Sequence, residues 1–322
     1  MPVTLLMMPP QNDKTREWGQ RVGADHPDLE IIVPETMEGA EQAIAMADAT
    51  YGTIPPTLLP RAQKLRWLQA PQAAPPAGYY YRELIEHPVV VTNFREIYND
   101  HIAAHVMAFV LAFARGLHVY LPQQQRRQWR KLPPDTGVVH LPEASALVVG
   151  VGGIGAEVAR LASAFGMRVI GVDERRAEAP PGVAELHRAA ALDRLLPQAD
   201  FVILTVPHTP ETEGFMNRAR FQRMKPGAFF INIGRGMTTR LDDLAAAIEA
   251  GEIAGAALDV FEQEPLPAEH PLWTMPGVLI TPHTAGYGPY LDERRYEVFA
   301  DNCRRFLAGQ ELRNVVDKSR WF

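Results

Sequence analysis

The stretch SALVVGVGGIGAEVARLASAFGMRVIGVD, from Ser145 to Asp173, constrains the fold more than any other part of the chain. Ala146 to Val151 is an apolar, β-branched run with the length of a buried strand and too short for a helix. Gly150, Gly152 and Gly155 then form G-x-G-x-x-G. The first glycine permits a tight turn, the second lets a pyrophosphate approach the backbone, and the third lets the following helix pack close to the strand. That helix carries Ile154, Val158, Leu161, Ala162 and Phe165 on one apolar stripe, and Gly166 ends it. Its first N–H groups, from Gly153 and Ile154 onward, would face the phosphates. Arg168 to Val172 reads as a second strand, and Asp173 stands at its carboxyl end, where a ribose 2′-OH acceptor belongs. Strand, glycine loop, helix, strand and acid together predict a dinucleotide site; the glycines alone would not.

A length of 322 residues predicts two domains with ample core. The net charge of −6 argues against a nucleic-acid or anionic-membrane partner. The single cysteine, Cys303, rules out a disulfide framework or a cysteine metal cluster and reads as a small packing residue. The first ten residues, MPVTLLMMPP, lack the basic region of a signal peptide. No run reaches the ~18 apolar residues of a membrane span. A cytoplasmic protein without a membrane partner is the expectation.

Short strands are expected at Val3–Met8, Leu29–Val33, Asp48–Tyr51, Leu65–Gln69 and Val89–Asn93, with helices between them near Asp13–Val22 and Gly39–Met46. That alternation predicts a parallel sheet covered by helices, without a glycine fingerprint of its own. Asn99 to Tyr120 reads as one long, almost wholly apolar helix lying between domains. Leu121 to Glu143, rich in Pro, Gln and Arg, reads as an excursion. Further strands are expected at Phe201–Val206, Ala228–Ile233, Ala256–Val260 and Val278–Thr281, with a helix over Leu241–Ala250 and a charged amphipathic helix near Asp292–Leu307.

Ligands of open α/β sheets sit outside the carboxyl ends of the strands. Three such ends carry chemistry. AFFINI runs into Gly234-Arg235-Gly236, where a guanidinium can hold a carboxylate bidentately and polarise a neighbouring carbonyl. The next strand leads through Asp259 to FEQEPLP with Glu264, and the last leads to TPHTAG with His283. A carboxylate beside a histidine fixes its tautomer and favours its proton-carrying form. Arginine for a carboxylate, histidine for a hydroxyl proton and a nicotinamide for hydride together describe oxidation of a 2-hydroxy acid, or its reverse.

The set GVGGIG, NIGRG, LDVFEQEPLP and ITPHTAG resembles the D-isomer-specific 2-hydroxyacid dehydrogenases, closely from Asn99 to about Leu307 and more loosely before. The resemblance implies two doubly wound parallel-sheet α/β domains. One is a flavodoxin-like substrate domain over 1–98 and 292–322; the other is a Rossmann domain over 99–291. It implies Arg235 as substrate anchor, Glu264 as partner of the histidine and His283 as acid/base. It places Val206, Pro207, Ile233 and Gly234 along the cofactor path and Asp259 at the nicotinamide carboxamide. It also implies an active site in an interdomain cleft and a homodimer. EQEPLPAEHPLW is similar to the glyoxylate and hydroxypyruvate reductase branch, which acts on small 2-oxo acids.

Family members bind the substrate carboxylate through backbone N–H groups of a glycine-containing loop. Here QAPQAAPPAGYYYREL places Ala73 and Ala74 there, followed by Pro75 and Pro76, which have no N–H. Gly78 could serve in place of the missing glycine, and at least one of Tyr79, Tyr80 and Tyr81 should pack internally. Asp173 favours NAD, while Arg175 and Arg176 could accommodate NADP. His101 and His105 stand four apart on the long helix with no carboxylate motif to complete a metal site. His101 is expected near the substrate and His105 in a buried hydrogen bond; His208 is a candidate beside the cofactor. A second reading is a nucleotide-sensing protein like the C-terminal-binding corepressors, which share this fold.

Overall fold

The computed structural model describes residues 2–73, 76, 78–134 and 137–321. The chain divides into two compact units, residues 1–97 with 289–322, and residues 98–288.

In the first unit, β1 (Val3–Met7), β2 (Leu29–Ile32), β3 (Ala49–Tyr51), β4 (Trp67–Gln69) and β5 (Val90–Thr92) form a parallel sheet of order β2-β1-β3-β4-β5. This is the flavodoxin-like, doubly wound order. Helices α1 (Asp13–Asp25), α2 (Met37–Ala43) and α3 (Arg82–Glu86) connect the strands. All three clustered tyrosines pack in the core of this unit, where Tyr79 also donates to the Gly52 carbonyl at 2.8 Å and Tyr81 to the Ile54 carbonyl at 3.0 Å. Asn93 Nδ2 donates to the Ala73 carbonyl at 2.8 Å. Ala74 and Pro75 lie outside the described residues.

The second unit opens with α4 (Asn99–Ala114) and α5 (Leu117–Gln125). The single long helix expected over Asn99–Tyr120 is therefore broken. Gly116 adopts φ +69°, which a helix cannot continue through, and the two helices meet at 74°. Residues 121–125, expected as excursion, belong to α5. Helix α4 is not an isolated connector: Val106, Val110 and Phe113 pack in one cluster with Val158 and Ala162 and with sheet residues Val148 and Ile231.

Seven parallel strands follow: β6 (Ser145–Val149), β7 (Arg168–Val172), β8 (Glu185–His187), β9 (Phe201–Leu204), β10 (Phe229–Asn232), β11 (Gly255–Leu258) and β12 (Val278–Ile280). Their order is β12-β11-β10-β9-β6-β7-β8. The edge strand β8 carries no apolar run and is half-buried throughout, so its sequence gives no strand signal. Helices α6 (Gly153–Ala164), α7 (Leu192–Leu195), α8 (Arg218–Phe221) and α9 (Leu241–Glu249) complete this unit. Phe165, expected on the buried stripe of α6, is 45% exposed because α6 ends one residue before it. The final helix, α10 (Leu291–Leu307), belongs to the first unit.

The central strands alternate between two apolar clusters. Leu147, Val149, Val202, Leu204, Phe230 and Leu258 fill one face of the sheet; Ala146, Val148, Phe201, Ile203, Phe229, Ile231 and Ala257 fill the other. A strand buried on both faces cannot slip by one residue without exchanging every side chain, so register is fixed. That register sets Val149, Leu204, Asn232, Leu258 and Ile280 in one row across β6, β9, β10, β11 and β12. Gly150, Val206, Ile233, Arg235, Asp259 and His283 all lie just beyond this row. Among the described residues no single helix is long and apolar enough to cross a membrane.

Candidate active site

The row ends at the topological switch point, where β7 leaves β6 on one side and β9 on the other. Gly150 turns there with φ +92°, and a Cβ on it would lie 2.9 Å from Val206 Cγ1. A Cβ on Gly155 would lie 1.9 Å from the Gly150 carbonyl oxygen, so the helix start touches the turn and only glycine fits. Above Gly152 nothing stands within 4 Å. Gly152 caps α6 without any side-chain hydrogen bond, leaving the first N–H groups of a 12-residue helix to answer an anion. Thr205 Oγ1 donates to the Gly150 carbonyl at 2.5 Å and ties the end of β9 to the glycine turn.

Asp173 faces inward. Its Oδ2 accepts from Val151 N at 2.7 Å, and its Oδ1 accepts from Arg175 N and Arg176 N, each at 2.9 Å. Burial works to raise its pKa, but these N–H groups and the nearby Arg176 charge outweigh it, and the carboxyl is held below its ordinary range. The acid braces the glycine loop.

Next along the row, Asn232 ends β10 with its side chain fully buried. Its Oδ1 accepts from Gly234 N at 3.0 Å, and its Nδ2 donates to the Arg235 carbonyl at 3.2 Å and to Thr239 Oγ1 at 3.0 Å. These bonds shape the Gly234-Arg235-Gly236 turn. A Cβ on Gly236 would fall 1.8 Å from the Phe261 carbonyl oxygen, so the turn lies directly on the segment carrying Glu264. The Arg235 guanidinium folds over its own turn and donates to the Gly234 carbonyl at 2.6 Å. Burial pulls its pKa below the ordinary value while Glu264 works the other way; an arginine stays charged regardless.

Glu264 joins the two remaining strand ends. Its Oε1 accepts from Phe261 N at 3.0 Å, and its Oε2 lies 2.6 Å from His283 Nδ1. The imidazole thus presents Nε2 away from the carboxylate. His283 occupies left-handed backbone at φ +54°. That conformation costs a non-glycine residue ~1–2 kcal/mol. Asp259, 1% exposed, holds the turn: its Oδ1 accepts from Thr284 N at 2.8 Å and its Oδ2 from Ala285 N at 2.9 Å. Oδ1 also accepts from Thr281 Oγ1 at 2.6 Å, so three of the carboxylate's roughly four acceptor positions are used within the chain.

The structure thus brings the glycine loop, Val206, Ile233, Arg235, Asp259, Glu264 and His283 to one edge of one sheet. Pro207 follows Val206 and anchors its loop by accepting from Thr212 Oγ1 at 2.7 Å. His208 Nε2 lies 3.6 Å from Glu213 Oε2 in the same loop. His105 makes its expected hydrogen bond, with Thr281 at 2.9 Å. His101 packs against Gly288, and its Nε2 has no hydrogen-bond partner among the described residues. Asn232, Thr205 and Thr281 were not singled out by sequence. The one available signal was a polar residue at the end of an apolar strand.

A buried arginine in a glycine turn, a carboxylate-held histidine and an uncapped helix start on a Rossmann unit are the features of a dinucleotide-dependent oxidoreductase. The chain belongs to the D-isomer specific 2-hydroxyacid dehydrogenase family, whose NAD binding domain model matches residues 107–285. Glyoxylate/hydroxypyruvate reductase B of Citrobacter koseri is 34% identical over 88% of this chain and 89% of its own. A D-isomer specific 2-hydroxyacid dehydrogenase from Xanthobacter autotrophicus Py2, solved with NADPH and MES, is 30% identical with a TM-score of 0.85 over 100% of both chains. An NADPH-dependent glyoxylate/hydroxypyruvate reductase from Sinorhizobium meliloti, solved with NADP and sulfate, is 27% identical with a TM-score of 0.81, covering 99% of this chain and 100% of its own.

Proposed function

We propose that this enzyme reduces small 2-oxo acids, glyoxylate and hydroxypyruvate foremost, to their D-2-hydroxy acids. The observation that carries this reading is the Glu264–His283 pair at 2.6 Å, which joins the ends of the two strands that follow that of Arg235 in the sheet. The relatives named glyoxylate/hydroxypyruvate reductase support the substrate class.

A dinucleotide fits the second unit: the space over Gly152 and the uncapped start of α6 suit a pyrophosphate. Gly150, Gly152, Gly153, Ile154 and Gly155 would hold it, with Asp173 at the ribose and Val206, Pro207, Ile233, Gly234 and Asp259 toward the nicotinamide. When bound, the reduced nicotinamide supplies the hydride. Arg235 binds the substrate carboxylate and polarises the keto group. His283, in its charged imidazolium form, gives the Nε2 proton to the keto oxygen, and Glu264 accepts the Nδ1–H bond that orients the ring and stabilises that charge. In the first unit, Ala73 remains the candidate for backbone contact with substrate. Both NADH and NADPH are proposed to serve: Asp173 directs three acceptor positions inward, Arg175 and Arg176 share its turn, and the two solved relatives hold the phosphorylated cofactor.

We further propose a cytoplasmic homodimer. Leu117 and Leu121, one turn apart on α5, are 44% and 51% exposed, and Trp129 beyond them is 92% exposed, an apolar patch suited to a second copy. Light scattering on purified protein would test it, and a monomer at micromolar concentration would contradict it.

The functional reading is tested by following the reduced-nicotinamide absorbance with glyoxylate, hydroxypyruvate, pyruvate and phenylpyruvate, with NADH and NADPH in turn. Rapid oxidation of the cofactor with glyoxylate and hydroxypyruvate is expected. Tight dinucleotide binding with no turnover across the panel would overturn it.

A further inference from the structure

The loop carrying His283 is seated on one stripe of α4. Gly286 lies over Tyr98 and Ile102, Gly288 lies against the ring of His101, and Thr281 meets His105. Residues 98, 101, 102 and 105 recur at the spacing of a single helix face. The member of this stripe that hydrogen-bonds to the loop is His105. Its Nε2 lies 2.9 Å from Thr281 Oγ1, whose hydroxyl proton points to Asp259 Oδ1 at 2.6 Å. Because the threonine proton is committed to the carboxylate, its oxygen must accept, and His105 must carry its proton on Nε2. The direct His105–Asp259 separation of 3.9 Å is that of two groups bridged by the hydroxyl. Phe109 stands edge-on to the His105 ring at 4.7 Å and fixes its plane. Burial lowers the pKa of His105 more than Asp259 raises it, which keeps the ring neutral at neutral pH.

The consequence reaches His283 through the backbone. Asp259 Oδ1 takes both the Thr281 hydroxyl and Thr284 N–H, and Oδ2 takes Ala285 N–H, so one carboxylate grips the loop on both sides of the left-handed His283. Thr281 bridges this carboxylate to α4.

We infer that His105 and Thr281 are positioning residues for His283: through Asp259 they hold the loop in the backbone conformation that aims the imidazole at Glu264 and the substrate. The inference rests on the acid/base reading of His283. Neither residue touches substrate; both act through the loop.

The test pairs a disruptive with a conservative change at each position in the full-length protein. Thr281→Val removes the bridging hydroxyl and Thr281→Ser keeps it; His105→Phe removes the donor and His105→Gln keeps an N–H near the same point. With glyoxylate as substrate, Thr281→Val and His105→Phe are expected to lower kcat by about 10- to 100-fold, the range of a small misplacement of a reacting group. The KM for reduced nicotinamide should stay within about twofold, and Ser and Gln should restore most of kcat. The second readout needs no turnover: the proton NMR signal of the His283 Nδ1–H, shifted far downfield by its bond to Glu264, should broaden or move in Thr281→Val and return in Thr281→Ser. An unmoved signal with unchanged kcat would overturn the inference. A wild type that turns over no 2-oxo acid, yet whose signal responds to Thr281→Val, would overturn the functional reading and leave the positioning role supported. If Thr281→Val fails to fold, the His105 pair decides alone.

Discussion

Replacing Glu264 by glutamine removes one charge and almost no volume, so its effect isolates what the carboxylate does for His283. In oxidation of the 2-hydroxy acid the ring takes up a proton, and charge develops about 4 Å from the carboxylate centre. The attraction at that distance is about 1 kcal/mol in water and about 4 kcal/mol at an effective dielectric of ~20. The two side chains are 48% and 37% exposed, so solvent screens the pair and a value of about 2 kcal/mol is apt. That corresponds to a roughly 30-fold fall in kcat/KM. The reaction equilibrium fixes the ratio of kcat/KM in the two directions, so reduction should fall by the same factor at the same pH. A second cost is structural. Glu264 accepts from Phe261 N–H and from the imidazole at the same time, whereas glutamine has one acceptor oxygen. One donor is left unanswered, at about 1–3 kcal/mol, and the thermal midpoint should drop with activity. Steady-state absorbance assays with glyoxylate, beside a melting curve, measure both. Unchanged kcat/KM, or a loss confined to the KM of the dinucleotide, would refute the role given to Glu264.

Other perturbations follow from the same geometry. Gly155→Ala would drive a Cβ to 1.9 Å from the Gly150 carbonyl oxygen; it should cost about 3 kcal/mol or more and abolish dinucleotide binding, checked by denaturant midpoint and fluorescence titration. Asp173→Ala should weaken NADH and NADPH alike, by about tenfold, because the carboxylate braces Val151, Arg175 and Arg176; improved NADPH binding would show that it acts only as a selector. Asp200 is pushed upward by burial, yet Lys225 at 2.6 Å and two bonds from Ser145 at 2.8 Å leave its pKa lowered. A lowered carboxyl stabilises the fold above its unfolded pKa. The wild-type advantage over Asp200→Asn in urea should therefore persist at pH 5, begin to decline below about 4 and vanish only once pH has fallen through the lowered native pKa.

The fold was legible wherever strands were apolar on both sides and helices ended on glycine. The runs SALVV, FVIL and FFIN could be nothing but buried strands, and their parallel order follows from the alternation with helices. Sequence failed where tertiary position outweighs local pattern. Glu185–His187 is a strand only because β7 offers it an edge. The helix from Asn99 ends at Ala114 because Gly116 turns left-handed, in a run that is otherwise strongly apolar. The site divides the same way. Arg235, Glu264 and His283 were visible because charged and ionisable groups directly after buried strands have little packing purpose. Asn232, Thr205 and Thr281 were not singled out, and His105 was given a hydrogen bond but no partner, because an uncharged side chain that shapes a turn becomes meaningful only when its partner, up to 176 residues away for His105 and Thr281, is known. The inward orientation of Asp173 is of the same kind: sequence placed the acid, and the loop's own N–H groups decide where it points.

The most direct measurement is the turnover of His283→Asn with glyoxylate and reduced nicotinamide. Asparagine tolerates the left-handed backbone that His283 adopts, so the loop should keep its shape while the proton donor is lost. If His283 is the acid, kcat falls by roughly 10²–10⁴-fold while dinucleotide affinity, read by fluorescence, stays within about twofold. A variant that turns over at nearly the wild-type rate with cofactor affinity intact would show that the proton comes from elsewhere, and the assignment built on the Glu264–His283 pair would fall.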